Sequence, residues 1–234
     1  MIAHTILDIL AWLTSLSTLM ILRRTWFSEH PVSDSGRPGY LAAILLGAGL
    51  GAWAFGTTNL WISGIPQSGR SIEGALFGAI AAVEIYKRVV GIAERTGSVY
   101  ALPVALGIAV GRIGCQLSGL EDFTYGLPTG ADWGWDFGDG INRHPVAFYE
   151  SATMLVFAGL YVAFMLRGSV FMRQNGFYLA IAYYAGQRFV QEYFKPYGSL
   201  IAGLTLFQCL ALVLLAYGLW MMASEPWMKH STSD

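Results

Sequence analysis

The chain has 234 residues, of which 55% are AVILMFWYC and only 12% are Asp, Glu, Lys or Arg, against roughly 25% charged residues in ordinary soluble domains. Its 14 basic and 15 acidic residues give a formal net charge of -1, and the mean hydropathy is +0.50; a strongly charged, soluble nucleic-acid binder is excluded. Eight Trp, twelve Tyr and 28 Gly suit a membrane protein, where aromatic rings sit at interfaces and glycines let helices approach. Cys115 and Cys209 are too few for a disulfide scaffold or a thiolate metal cage.

Stretches near the roughly 20 residues that span a bilayer predict seven transmembrane helices, over 5–22, 40–62, 71–90, 99–118, 146–166, 176–194 and 200–223. The third is the weakest, because Glu73, Glu84, Lys87 and Arg88 leave only 74–83 uncharged. A signal peptide is the alternative for 5–22, but Asp8 interrupts it, and Arg23 and Arg24 follow the apolar run instead of preceding it.

Positive charge orients the chain. With the N-terminus outside, the inner loops and tail hold Arg23, Arg24, Arg37, Lys87, Arg88, Arg95, Arg167, Arg173 and Lys229, and the outer connections hold only Arg70, Arg143 and Lys195. The expected architecture is an all-α integral membrane protein. It forms a single transmembrane domain over 1–234, with a long outer loop over 119–145 and a short cytoplasmic tail over 224–234. The loop interleaves Glu121, Asp122, Asp132, Asp136 and Asp139 with glycines. Its aspartates lack the calcium-loop spacing, so no metal is expected there. Gly47-x-x-x-Gly51, Gly74-x-x-x-Gly78 and Gly107-x-x-x-Gly111 have the small-xxx-small spacing of close helix contacts.

Five ionisable residues fall inside the predicted spans: Glu73, Arg112, Glu150, Arg188 and Glu192. An ionised side chain at mid-bilayer costs about 2.5–3.5 kcal/mol on insertion scales, so each is a candidate site residue. Arg188 and Glu192 are also spaced i,i+4, as a purely structural ion pair would be. Five such residues from four helices, all near the outer ends, predict a shared polar cavity. Two arginines offer forked donors for a phosphate or another oxyanion, and three carboxylates with His144 offer acid or base groups. An enzyme acting on a phospholipid head group and a transporter pathway both fit this set.

Three segments add to it. Gly111-Arg-Ile-Gly114, then Arg143-His-Pro-x-x-x-Tyr-Glu150, then Gly186-x-Arg-Phe-x-x-Glu-Tyr-Phe-Lys195 resemble, in order and spacing, the prolipoprotein diacylglyceryl transferase family, over roughly 72–208. The resemblance implies a seven-helix bacterial inner-membrane enzyme with its active site towards the outer leaflet. Such an enzyme moves the diacylglyceryl group of phosphatidylglycerol to the lipobox cysteine of a lipoprotein precursor and releases glycerol phosphate. It further implies that Arg112, Glu150, Arg188 and Glu192 stand at the family's signature positions, and Lys195 at a position that is often basic. The candidates for chemistry are therefore Glu73, Arg112, Arg188, Glu192, Glu150 and His144. Those for substrate binding are Arg112, Arg143, Arg188, Ser118 and Lys195. No cofactor, metal or nucleic-acid partner is expected, and a monomer suffices.

The departures are specific. The family's two signature asparagines are replaced by Cys115 and Ser118, and its Ser-x-His-Gly motif reads Ser71-Ile-Glu-Gly74, with Glu73 in the histidine's place. Asp8 and Trp12 stand where the first helix of the family carries Arg-x-Tyr-Gly. Glu73 either accepts the acceptor's proton or pairs with an arginine. Cys115 is a nucleophile or a small packing residue. Ser118 bonds a lipid glycerol or merely ends its helix. The alternatives to lipoprotein modification are the same lipid donor with a non-protein acceptor, or a non-catalytic lipid-binding or lipid-transporting protein.

Overall fold

The computed structural model describes residues 2–28 and 32–224; the expected tail beyond 224, with Lys229, lies outside the described residues. Seven long helices follow one another: α1 (Ile2–Thr25), α2 (Arg37–Ile62), α3 (Ile72–Val90), α4 (Ala101–Leu117), α5 (Val146–Leu166), α6 (Val170–Gln191) and α7 (Leu206–Ala223). Five stretches are long and apolar enough to cross a membrane: Thr5–Thr25, Arg37–Ile62, Ser98–Leu117, Val146–Leu166 and Leu206–Ala223. Helices α3 and α6 are not among them. The first carries Glu73, Glu84, Lys87 and Arg88, and the second carries Arg173, Asn175 and Arg188.

Local chemistry sets the boundaries. The Ser71 hydroxyl caps α3 by accepting the Gly74 N–H at 3.1 Å, a normal N-cap arrangement. The long connection between α4 and α5 is not bare loop: β1 (Trp135–Asp136) and β2 (Asn142–Arg143) pair antiparallel within it. The Asp136 Oδ1 accepts the N–H groups of Gly138, Asp139 and Gly140 at 2.8–3.1 Å, so its aspartates build a turn. Helix α6 begins at Val170, earlier than 176, because the Ser169 hydroxyl accepts the Met172 N–H just after Gly168 turns the chain at φ 73°. Helix α7 begins at Leu206, later than 200. There Thr205 and Gln208 form a capping box, and the residues before them fold into a hairpin of β3 (Ser199–Ile201) and β4 (Leu204–Thr205).

Neighbours in sequence pack as pairs, α2 on α3 and α6 on α7, while α1 lies along α4 and α4 along α5. Gly47 and Gly51 of α2 meet Gly78 and Gly74 of α3 so closely that a Cβ at any of the four would overlap the carbonyl opposite. Gly107 of α4 faces Ser15 of α1, whose hydroxyl donates to the Pro103 carbonyl at 3.0 Å. The two α2–α3 pairs therefore act as close-contact faces, whereas in the third only Gly107 is closely approached and Gly111 makes an ordinary contact with Ala11. The outer surface of the bundle is apolar: Leu46 and Leu50 are each 66% exposed, whereas Glu73, Glu150 and Glu192 are each 1% exposed.

Arg95, in the α3–α4 connection, ties the other end of the bundle. Its Nη1 donates to Asn175 Oδ1 at 2.8 Å, its Nη2 donates to the Met221 and Ser224 carbonyls, and the guanidinium lies 5.2 Å from the Tyr178 ring centroid. The last carbonyls of α7 thus gain a donor they would otherwise lack. Arg95→Ala should cost about 2–3 kcal/mol, because hydrogen bonds to charged groups contribute about 1.5–3 kcal/mol each and the buried Asn175 side chain would lose its donor. Thermal unfolding in detergent measures this, and Arg95→Lys should recover less than half of the loss because it lacks the fork.

Candidate active site

Four helices converge on one cluster. Glu73 sits in the first turn of α3, where the Ser71 cap below it and the Gly74–Gly51 backbone contact beside it fix its direction. Arg112 comes from α4, Glu150 from α5 and Arg188 from α6, with Glu192 in the 3-10 turn (Glu192–Phe194) that continues α6. Arg112 Nη2 lies 2.9 Å from Glu150 Oε2, and Arg188 Nη1 lies 3.8 Å from the same oxygen. Arg188 also donates from Nε to Glu73 Oε2 at 3.2 Å and places Nη2 2.9 Å from Glu192 Oε2. The Thr205 hydroxyl, already the cap of α7, donates to the other Glu192 oxygen at 3.1 Å. Glu73 is thus paired with an arginine, one of the two roles open to it.

Glu73, Arg112, Glu150 and Arg188 line a cavity of about 420 Å³; Glu192 pairs with Arg188 but is not part of the cavity wall. The walls also include Asp8 and Trp12 of α1, Asn59 of α2, Glu121 after α4, Tyr184 of α6 and Lys195. Sequence reasoning singled out Asp8 and Trp12 only as departures, and it missed Asn59 and Tyr184. Tyr184 was legible, since it stands one helical turn before Arg188 and shares its face. Not every donor in the cluster is met. Arg112 Nε and Arg188 Nη1 have no hydrogen-bond partner among the described residues, and neither has Glu73 Oε1.

Of the other candidates, Cys115 lines the cavity, while Ser118, Arg143 and His144 are not part of its wall. The Ser118 hydroxyl donates back to the Gly114 carbonyl at 2.8 Å, inside its own helix end. Cys115 accepts from Arg112 Nη1 at 3.5 Å. Arg143 makes a two-point bond to Asp139, with Nη1 to Oδ1 at 2.9 Å and Nη2 to Oδ2 at 2.7 Å. That bond holds the Asp139 carboxyl down at about 2. His144 packs its ring on Phe194, with centroids 4.9 Å apart, and the Leu127 N–H donates to the Phe194 carbonyl at 2.7 Å. Arg143 and His144 therefore fasten the loop between α4 and α5, and His144 fastens it against the segment that carries Lys195.

Removing the charge of Glu150 would leave two buried arginines facing each other. Breaking a buried pair typically costs 3–5 kcal/mol, so Glu150→Gln should lower the unfolding temperature in detergent markedly and Glu150→Ala further still. A Gln variant as stable as the unmodified protein would show that the arginines find other partners.

Apolar side chains outside and an ion-paired, partly unmet polar chamber inside define a multi-pass helical membrane protein. The model of the prolipoprotein diacylglyceryl transferase family matches residues 5–224, and the chain belongs to that family. The phosphatidylglycerol–prolipoprotein diacylglyceryl transferase of Solidesulfovibrio magneticus is 31% identical over 200 residues, covering 80% of this chain and 71% of the relative. The protein of the same name from Roseobacter denitrificans is 26% identical over 239 residues, covering 85% and 80%. That from Nitratidesulfovibrio vulgaris (Hildenborough) is 30% identical over 197 residues, covering 80% and 70%. No solved structure matches the chain.

Proposed function

We propose that the protein transfers the diacylglyceryl group of phosphatidylglycerol to the lipobox cysteine of a lipoprotein precursor and releases glycerol phosphate. The observation that carries this reading is the pair of unmet guanidinium N–H groups, Arg112 Nε and Arg188 Nη1, inside one cavity. Buried donors normally have partners, and two forks aimed at one space suit the oxygens of a phosphate. The phosphate gains negative charge as it leaves, so donors already in place stabilise the transition state more than the ground state. Glu150, Glu73 and Glu192 hold the two guanidinium planes in position. Arg143 and His144 act on the loop above the cavity instead of touching the lipid.

In this reading all seven helices cross the inner membrane as one domain, with the N-terminus outside and the cavity towards the outer leaflet. In the same reading the chain works as a monomer. The test incubates purified protein in phosphatidylglycerol bilayers with a lipobox peptide. Glycerol phosphate should appear only with the peptide present. Release without peptide would point to another acceptor, and lipid binding without release to a carrier.

A further inference from the structure

We propose that Lys195 is the group that takes the proton from the attacking nucleophile, because its Nζ faces the ion-pair cavity without being bound to any of the cavity's carboxylates. The inference rests on the transferase reading above and deepens it. Lys195 is only 5% exposed and lines the same cavity as Arg112, Arg188 and Glu73. Among the described residues no hydrogen bond or ion pair reaches its Nζ, and the Tyr197 ring centroid lies 5.6 Å from it. The carboxylates that would normally neutralise a buried ammonium are taken: Glu150 by both arginines, Glu73 and Glu192 by Arg188.

The position is held firmly. The Lys195 N–H donates to the Glu192 carbonyl at 3.1 Å, closing the 3-10 turn, and Phe194 before it is pinned by Leu127 and His144. Burial and the cations of Arg188 and Arg112 push the Lys195 amine down to about 7, against the opposing pull of Glu192 and Glu150. From the remaining walls Glu73, Asp8, Glu121 and Arg70 also face the cavity. An amine in that range is half unprotonated at neutral pH, which is where a general base works best. Glu73, by contrast, has one oxygen committed to Arg188.

The step balances without a further reactant. The thiol proton passes to Nζ, and the sulfur forms a bond to the glyceryl carbon that carries the phosphate ester. The carbon–oxygen bond breaks, and its electron pair leaves on the oxygen of glycerol phosphate. The new ammonium then stands beside a phosphate that has gained one negative charge.

Lys195→Arg separates this role from simple phosphate binding, since arginine keeps the charge but cannot accept a proton at these pH values. With phosphatidylglycerol and a thiol peptide, turnover of the unmodified protein should rise with pH through about 7. Lys195→Arg should bind the donor lipid within about threefold yet turn over about 10²-fold or more slowly. Its residual rate should climb towards the thiol's own ionisation near about 8.5. Turnover within about threefold of normal with an unchanged pH profile would overturn the assignment and leave the transferase reading intact. So would loss of turnover confined to Glu73→Gln. A second measurement needs no variant: the pH dependence of Lys195 acylation in the unmodified protein, read by mass spectrometry, should have its midpoint near 7. A midpoint in the ordinary lysine range, about 10.4, would overturn the proposal. Should the unmodified protein release no glycerol phosphate with any thiol acceptor, the transferase reading and this one fall together.

Discussion

Arg188→Gln should reduce glycerol phosphate release by about 10²–10³-fold, the usual cost of removing one preorganised donor from a developing oxyanion. It should also destabilise the protein by about 3–5 kcal/mol, because Glu73 and Glu192 would lose their cation inside the bundle. Arg188→Lys divides these effects. Its single ammonium restores one positive charge, so the unfolding temperature should return most of the way. It cannot engage Glu73 and Glu192 through two nitrogens while keeping a third without a hydrogen bond, as Arg188 does with Nη1, so release should stay at least about tenfold down. Near-normal release by the Gln variant would remove Arg188 from phosphate handling.

The second large effect concerns residues without side chains. Gly78→Val would place three carbons where the Gly47 carbonyl lies, and Gly51→Ala would press on the Gly74 carbonyl. Backbone on both sides leaves nothing to rotate away, so the helices must part. Overpacking in ordinary cores costs about 1–3 kcal/mol, and these sites should reach the top of that range. Gly74 follows Glu73, so a shift of α3 also pulls that carboxylate from Arg188, and turnover should fall with stability. Gly49→Ala supplies the control, since nothing lies within 4 Å of the added carbon. Thermal unfolding and glycerol phosphate release on the three variants check this; equal behaviour of Gly49→Ala and Gly51→Ala would refute the contact.

These glycines, and the five charges of the ion-pair cluster, were legible because each obeys a short-range rule: a four-residue spacing for contact, or the high cost of a charge among apolar neighbours. The seven helices were legible for the same reason. Helix starts were less so. Hydropathy placed the sixth helix at 176 because Arg173, Gln174 and Asn175 are polar, although Gly168-Ser169 marks the true start, and Thr205-x-x-Gln208 marks that of the seventh. The division of labour was hidden for a different reason. Arg143 and His144 sit in the same motif as Glu150, but β2 and the Pro145 turn hold them on the loop while Glu150 reaches the cavity from α5. Which carboxylate each arginine takes depends on distances between helices far apart in sequence, and no local pattern encodes those.

The pairing of helices bears on how the chain enters the membrane. The two helices that lack the hydropathy to cross alone, α3 and α6, each pack along an adjacent and strongly apolar partner, α2 and α7. For α2 and α3 the backbone contacts along Gly47, Gly51, Gly74 and Gly78 leave no gap between them. The apolar partner shields one flank of its polar neighbour, and Glu73 of α3 and Arg188 of α6 turn towards the interior, while Arg88 and Arg173 stay exposed towards the other ends of these helices. If all seven helices cross, as proposed above, crossing is a property of the helical hairpin and not of the single segment. The bilayer accepts as a pair what it would refuse one helix at a time.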